Sequence, residues 1–294
     1  MNPTPKTIQI FLPGGDPRGI RIAEITTRIM QVTEVPRSLL PTFLKMAESG
    51  QVAIYFLVGG SDEGDNPQVY IGQTGDLRAR LANHNKNKEF WERALIVTSR
   101  THSLTQTHSL FLEWYCIQAV REAGRYTDRN GTSGTRPHTP RPLEADCFEI
   151  FETASTLLAS LGHPLFVPLT ADEGTPEENE LFFCNGSEAE GKGVYTQEGF
   201  VVLKGSSGRV ENVPSMKKWS LDKSRQKLLD LGVVLEEAGR LVFQKDHLFR
   251  SPSSAAIAVM GRNANGWTEW KNKAGQTLDE IKRQPVDSED AKQA

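Results

Sequence analysis

The stretch Val52–His84, "VAIYFLVGGSDEGDNPQVYIGQTGDLRARLANH", decides how the chain is read. "VAIYFLVG" and "QVYIG" are short runs of β-branched and aromatic residues, which suit a pleated, half-buried surface. The polar "GSDEGDNP" between them is a hairpin loop. "DLRARLANHNKN" follows as a helix. Asp76 is placed to cap it, and Leu77 and Leu81, four residues apart, share one face. Arg80 and His84 share another face by the same spacing. Each strand carries one tyrosine, Tyr55 or Tyr70. One short segment therefore concentrates two phenols, a guanidinium and an imidazole.

Reading outward, "RALIVTS" is a third strand and "THSLFLEWYCIQAVREAG" an amphipathic helix. In that helix Leu110, Trp114, Ile117 and Val120/Arg121 recur near the helical period, and Gly124 marks the end. A breaker-rich loop, "TDRNGTSGTRPHTPRP", follows. The order β-β-α-β-α predicts an α/β (α+β) unit over 49–168, with a central antiparallel sheet flanked by helices. Upstream, "TIQIFL" and "IRIAEI" alternate as strands around the turn "PGGDPRG", and "SLLPTFLKMAES" has helical spacing interrupted by Pro41, with Ser38 as cap. This predicts a separate β-rich N-terminal element over 1–48. Downstream, the helical connector "EADCFEIFETASTLLASLG" leads to the Pro- and acid-rich linker "PLTADEGTPEENE". Strand and helix signals then predict a small α+β C-terminal domain over 178–284. A polar tail over 285–294 is expected to be disordered.

The composition bounds the function class. The 294 residues are 37% hydrophobic and 24% charged, with a net charge of -3. That is ordinary for a globular chain able to bury a core. No apolar run of about 18 residues suggests a membrane span. The N-terminal residues lack the basic and apolar regions of a signal peptide. Three widely spaced cysteines make neither a disulfide framework nor a zinc knuckle. The expectation is a cytoplasmic protein. The net charge argues against a basic coat for nucleic acid, but residues 71–142 hold eleven Lys/Arg against six Asp/Glu. That local excess hints at a polyanionic partner as readily as at a solvated helix surface.

Phosphodiester hydrolysis needs a positioned water, a cation near the phosphate and help for the leaving oxygen. Arg80 has the fork to clamp a phosphate. Glu113 is a carboxylate on an apolar-striped helix, and magnesium is often held by one or two carboxylates. A tyrosine is a poor base at neutral pH, and becomes a better one beside a metal and an arginine. Taken singly, each residue also has a plain structural role: strand tyrosines pack cores, a helix arginine solvates a face, His84 caps or lies on the surface, and Glu113 pairs with a base.

The motifs narrow the choice. "AIY" (Ala53–Tyr55) and "YIG" (Tyr70–Gly72) resemble the two signatures of the GIY-YIG nuclease family, and the resemblance covers roughly Val52–Pro142. It implies a divalent-metal-dependent endonuclease, using Mg2+ or Mn2+ on nucleic acid; DNA is the expected substrate, and the sequence leaves RNA open. On the matching positions it implies that Tyr55 and Tyr70 activate and position the water. Arg80 stabilises the scissile phosphate, and His84 assists proton transfer. Glu113 holds the metal, and Asn130 shapes the site. Ala53 stands where the motif usually has glycine, and the acidic loop between the tyrosines (Asp62, Glu63, Asp65) is longer than usual. "FRSPSSAAIAVMGRNANGWTEWKNKAGQTLDEI" resembles an uncharacterised C-terminal domain often fused to this nuclease family, most clearly in "GWTEWK". Its Trp267 and Trp270 would either close a small core or, with Arg262 and Lys271, stack on bases. The alternative function is a non-catalytic nucleic-acid-binding or regulatory module on the same fold; the acidic loop and net negative charge keep it open, while the complete residue set favours the nuclease.

Overall fold

The computed structural model describes residues 4–60, 67–132, 134–169, 180–186, 188–210 and 221–283. The acidic hairpin loop, most of the linker and the expected tail lie outside them. The described chain is mixed α and β, with antiparallel sheets, and divides into the units Met1–Pro168 and Leu169–Ala294.

The first unit is built on seven strands: β1 (Ile8–Phe11), β2 (Arg21–Ile25), β3 (Met30–Pro36), β4 (Ala53–Gly59), β5 (Gln68–Thr74), β6 (Arg93–Ser99) and β7 (Thr127–Asp128). They lie in the order β1-β2-β3-β6-β4-β5-β7, antiparallel except for the β5/β7 pair. The expected boundary near residue 48 is therefore not a division between compact units. β3 pairs with β6 along its whole length, from Met30↔Ser99 to Pro36↔Arg93, and this welds the N-terminal strands into the central sheet. β3 itself was not expected from the sequence. Its apolar-polar alternation over Met30–Thr33 is broken at Glu34, and Gln31, Thr33 and Glu34 are all buried. Glu34 is the most telling of them. It is enclosed between Arg21, Arg93 (3.0 Å) and His163 (3.1 Å). Burial opposes its ionisation, but the bond from His163 and the two guanidinium charges outweigh this and hold the carboxyl below its usual range. The helix expected after β3 is broken into 3-10 turns at Arg37–Leu39 and Ala47–Gly50 around a one-turn α1 (Leu40–Phe43). Ser38 sits inside the first turn and does not cap it.

Three longer helices cover the sheet. α2 (Leu77–Asn87) is capped by Asp76, whose side chain accepts a hydrogen bond from Ala79 N–H at 3.1 Å. It buries Leu77 and Leu81 on the face that carries Tyr55, Leu57 and Ile96, together with Leu40 and Phe43 of α1. α3 (Gln106–Ala123) and α4 (Arg141–Ser160) cover the opposite face, where Phe56, Ile71 and Val97 meet Phe111, Ile117, Val120 and Leu157. A Thr105–His108 capping box starts α3, and Gly124 in a left-handed conformation ends it as expected. Its buried stripe is turned from the one anticipated. Leu110 is 42% exposed, and Phe111, Leu112 and Cys116 face the core.

The second unit has β8 (Leu181–Gly186), β9 (Ala189–Thr196), β10 (Gly199–Val202), β11 (Ser207–Arg209), β12 (Val234–Glu237), β13 (Arg240–Phe243) and β14 (His247–Phe249) in one antiparallel sheet. The helices are α5 (Leu221–Asp230), α6 (Pro252–Met260), α7 (Gly266–Glu269) and α8 (Leu278–Lys282). α6 crosses the sheet closely: a Cβ on Gly208 would lie 2.8 Å from the Val259 carbonyl oxygen. Trp270 is fully buried, packs on Phe200 with ring centroids 4.2 Å apart, and donates its indole N–H to the Pro252 carbonyl at 3.0 Å. The core role holds for this tryptophan. Trp267 is half-buried, with the Arg283 guanidinium 3.6 Å from its ring centre.

Candidate active site

Strand register places the two tyrosines together. In the β4/β5 ladder Tyr55 lies opposite Gly72 and Leu57 opposite Tyr70. Directly opposed residues share a face, as do residues two apart. Tyr55 and Tyr70 are thus diagonal neighbours on the α2 side, with ring centroids 6.5 Å apart. Gly72 is what makes room for this. A Cβ there would come within 2.3 Å of the Tyr55 hydroxyl oxygen, so any larger residue would push the ring away.

α2 then adds its polar face. Arg80 Nε donates to the Tyr55 hydroxyl oxygen at 3.0 Å, and that hydroxyl is 2.9 Å from His84 Nε2. Arg80 can only donate, so the Tyr55 oxygen accepts from it, leaving the phenol proton to point at His84 Nε2. This direction requires a neutral imidazole protonated at Nδ1. His84 meets the requirement: burial, with the charges of Arg80 and Lys88 nearby, pulls its pKa down to about 4. The His84 ring also lies 5.1 Å from that of Tyr70. Arg80 remains largely exposed while its Nε is pinned, and the Tyr55 and Tyr70 phenols favour its charged form.

Tyr55 departs from what the sequence suggested. Its ring and hydroxyl are wholly buried, and burial raises its pKa more than the Arg80 bond and charge lower it. It is a neutral bridge at physiological pH and not a poised base. Tyr70 is half-buried and presents its phenol on the same face.

Glu113 and Asn130 arrive from the far side of β5, and that strand's backbone holds both. The Asn130 side chain accepts from Ile71 N–H at 2.9 Å and donates to the Ile71 carbonyl at 2.6 Å, copying a neighbouring strand. Two residues on, the Gln73 backbone N–H donates to the Glu113 carboxylate. The Gln73 side chain ties down the start of α3 by accepting from Gln106 Nε2 (2.5 Å) and Ser109 Oγ (3.3 Å). Burial pushes the Glu113 carboxyl above its usual range, against the Gln73 N–H and the Arg80 charge. No ion-pair partner lies within 4 Å of Glu113 among the described residues. A half-buried, oriented and unpaired carboxylate fits a hard divalent cation that keeps most of its waters. Among the described residues no three His, Cys, Asp or Glu side chains form a closed metal cage, so any ion here would rest on Glu113 as its carboxylate ligand.

The structure therefore brings Tyr55, Tyr70, Arg80 and His84 into direct contact. It sets Glu113 in the electrostatic reach of Tyr55 and Arg80, and fixes Asn130 on Ile71, at the centre of the second motif. Gln73, which orients Glu113, was not anticipated from the sequence. No helix among the described residues is long and apolar enough to cross a membrane. No curated protein matches the chain, and neither does any solved structure. A family model described as a domain of unknown function, DUF4357, matches residues 182–282, from β8 through α8 and including "GWTEWK". The chain thus carries, in its C-terminal third, the domain of unknown function that this motif suggested.

Proposed function

We propose that the protein is a divalent-metal-dependent endonuclease that hydrolyses phosphodiester bonds in DNA. The observation that supports this most is the directed chain Arg80→Tyr55→His84 beside the Tyr70 phenol, with an unpaired carboxylate, Glu113, behind it. Arg80, pinned at Nε, offers its remaining guanidinium N–H groups to a phosphate and counters charge that develops there. Tyr55 is a positioning residue. Its buried hydroxyl fixes the arginine and satisfies His84 Nε2. Tyr70, the accessible phenol, orients the attacking water through its hydroxyl. Asn130 holds β5 in register, and Gln73 aims Glu113. Glu113 would hold Mg2+ or Mn2+, which supplies Lewis-acid stabilisation at the phosphate when bound.

The second reading is a non-catalytic nucleic-acid-binding module. The complete burial of the Tyr55 hydroxyl favours it, because a scaffold would use the group in the same way. Incubating the protein with plasmid and with single-stranded DNA, in magnesium, manganese or chelator, separates the two. Metal-dependent cutting that Glu113→Gln abolishes is the expected result. Binding without cutting under every metal condition would leave the module.

A further inference from the structure

Beside the site lies an open cleft of about 710 Å3 whose lining includes Lys88, Phe90 and Arg129 together with the carboxylates Glu89 and Glu92. Two cations enter it from different elements. Lys88 is the residue that ends α2. Its N–H still bonds the His84 carbonyl at 2.9 Å, but its backbone has turned extended, and its ammonium sits 4.0 Å from the centre of the Tyr70 ring. Arg129 follows β7. Its N–H is fixed to the Val69 carbonyl at 2.8 Å, and its guanidinium lies 5.7 Å from the centre of the Phe90 ring. Both cations are thus held by the flanks of the strand and helix that build the site.

Their charges are not spent internally. Among the described residues, none of Arg80, Lys88 and Arg129 has a carboxylate within 4 Å, although Glu89 and Glu92 share the cleft. Burial, and then the like charges of Arg80 and Arg129, hold the Lys88 ammonium below its usual range. Lys88 and Arg129, with Arg80 nearby, lie beside an aromatic ring with no carboxylate within ion-pair distance among the described residues, an arrangement that a bound phosphate relieves. Lys88 joins the cleft to the site, because it lines the cleft and its ammonium rests on the Tyr70 ring.

We propose that Lys88 and Arg129 form a second phosphate-binding position, which takes the DNA backbone next to the phosphate held by Arg80. This rests on the nuclease reading for the identity of the polyanion, but it is tested by binding alone. The measurement is fluorescence anisotropy of a labelled single-stranded DNA oligonucleotide, and of its duplex, with the full chain in chelator across a salt series. Removing two phosphate contacts with Lys88→Gln/Arg129→Gln should weaken binding about tenfold. It should also reduce the slope of log affinity against log salt by about 1.4 for the single strand or about 1.8 for the duplex. Lys88→Arg/Arg129→Lys should keep the wild-type slope, which separates charge from local packing. An unchanged slope in the Gln double variant overturns the second position, even if the protein cuts DNA. Wild-type binding with the expected slope change, but no cutting in any metal, would retain the position and reject the nuclease. Absence of any salt-dependent binding by the wild type overturns both.

Discussion

Tyr55→Phe tests the site at its centre. The ring is retained and fills the same space against Gly72, so packing is preserved. Two hydrogen bonds disappear, one from Arg80 at 3.0 Å and one to His84 at 2.9 Å. Arg80 is exposed and regains water, so its loss is small. His84 is only 4% exposed, and its Nε2 is left as a buried acceptor without a donor, which costs about 1–3 kcal/mol. A net loss of about 2 kcal/mol is expected. In a unit of this size that lowers the melting temperature by roughly 4–8 °C. The His84 pKa should rise, because the donor that favoured the neutral ring has gone. Release of Arg80 from its tether should reduce cleavage about a hundredfold. Tyr70→Phe is the control. Its half-exposed hydroxyl predicts a stability change within about 1 kcal/mol with a comparable loss of rate. Calorimetry, the His84 imidazole resonance and a plasmid-nicking assay read all three effects. A Tyr55→Phe protein that melts with the wild type and cuts at its rate would refute the directed chain.

Arg80→Ala should lower cleavage by a factor of about a hundred, whereas Arg78→Ala should chiefly lower stability. Arg78 Nε donates to the Leu44 carbonyl (3.1 Å) and Ser49 Oγ (2.9 Å), which pins α2 to the turn before β4. Equal rate losses in the two variants would remove Arg80 from the site. Glu113→Gln should abolish metal-dependent cutting, since an amide binds a hard cation poorly. It should not destabilise the protein at neutral pH: the raised folded pKa makes the ionised carboxylate a burden once pH exceeds it. A large drop in melting temperature would contradict this. The neutral state of His84 should confer stability that is full above about pH 6.5 and is lost progressively as the pH falls toward about 4, about 3 kcal/mol in all. His247, in the other unit, is lowered in the same sense, so the His84 resonance must be followed directly. A titration midpoint near 6.5 in the folded protein would refute the burial argument.

Where local pattern and tertiary need agreed, the sequence was legible. β4, β5, α2 with its Asp76 cap, β6, and the Gly124 end of α3 all follow from spacing and turn chemistry. That the tyrosines share a face depended on the β4/β5 register, which strand alternation alone does not fix. β3 did not emerge, because Glu34 interrupts its apolar pattern and the residues that neutralise it, Arg21, Arg93 and His163, are remote in sequence. The merging of the N-terminal strands with the central sheet was hidden for the same reason: a long-range ladder leaves no mark in a window of ten residues. The Arg80–His84 spacing was visible, and its continuation to Lys88 was available at the same interval of four. The burial of the Tyr55 hydroxyl, and the backbone clamps on Asn130 and Glu113, depend on approaches that only the folded chain creates.

Those clamps have a second consequence. Beyond Val69, β7 no longer covers β5, and an uncovered strand offers its N–H and C=O groups to any passing chain. Asn130 occupies both groups of Ile71, and Glu113 occupies the Gln73 N–H. The residues assigned to chemistry thereby also act as guards against self-association through that margin of the sheet. Emptying the position with Asn130→Ala should expose a template for strand addition. Such a protein would be expected to form aggregates at concentrations where the wild type does not. A loss of activity in that variant would then need to be separated from a loss of monomer.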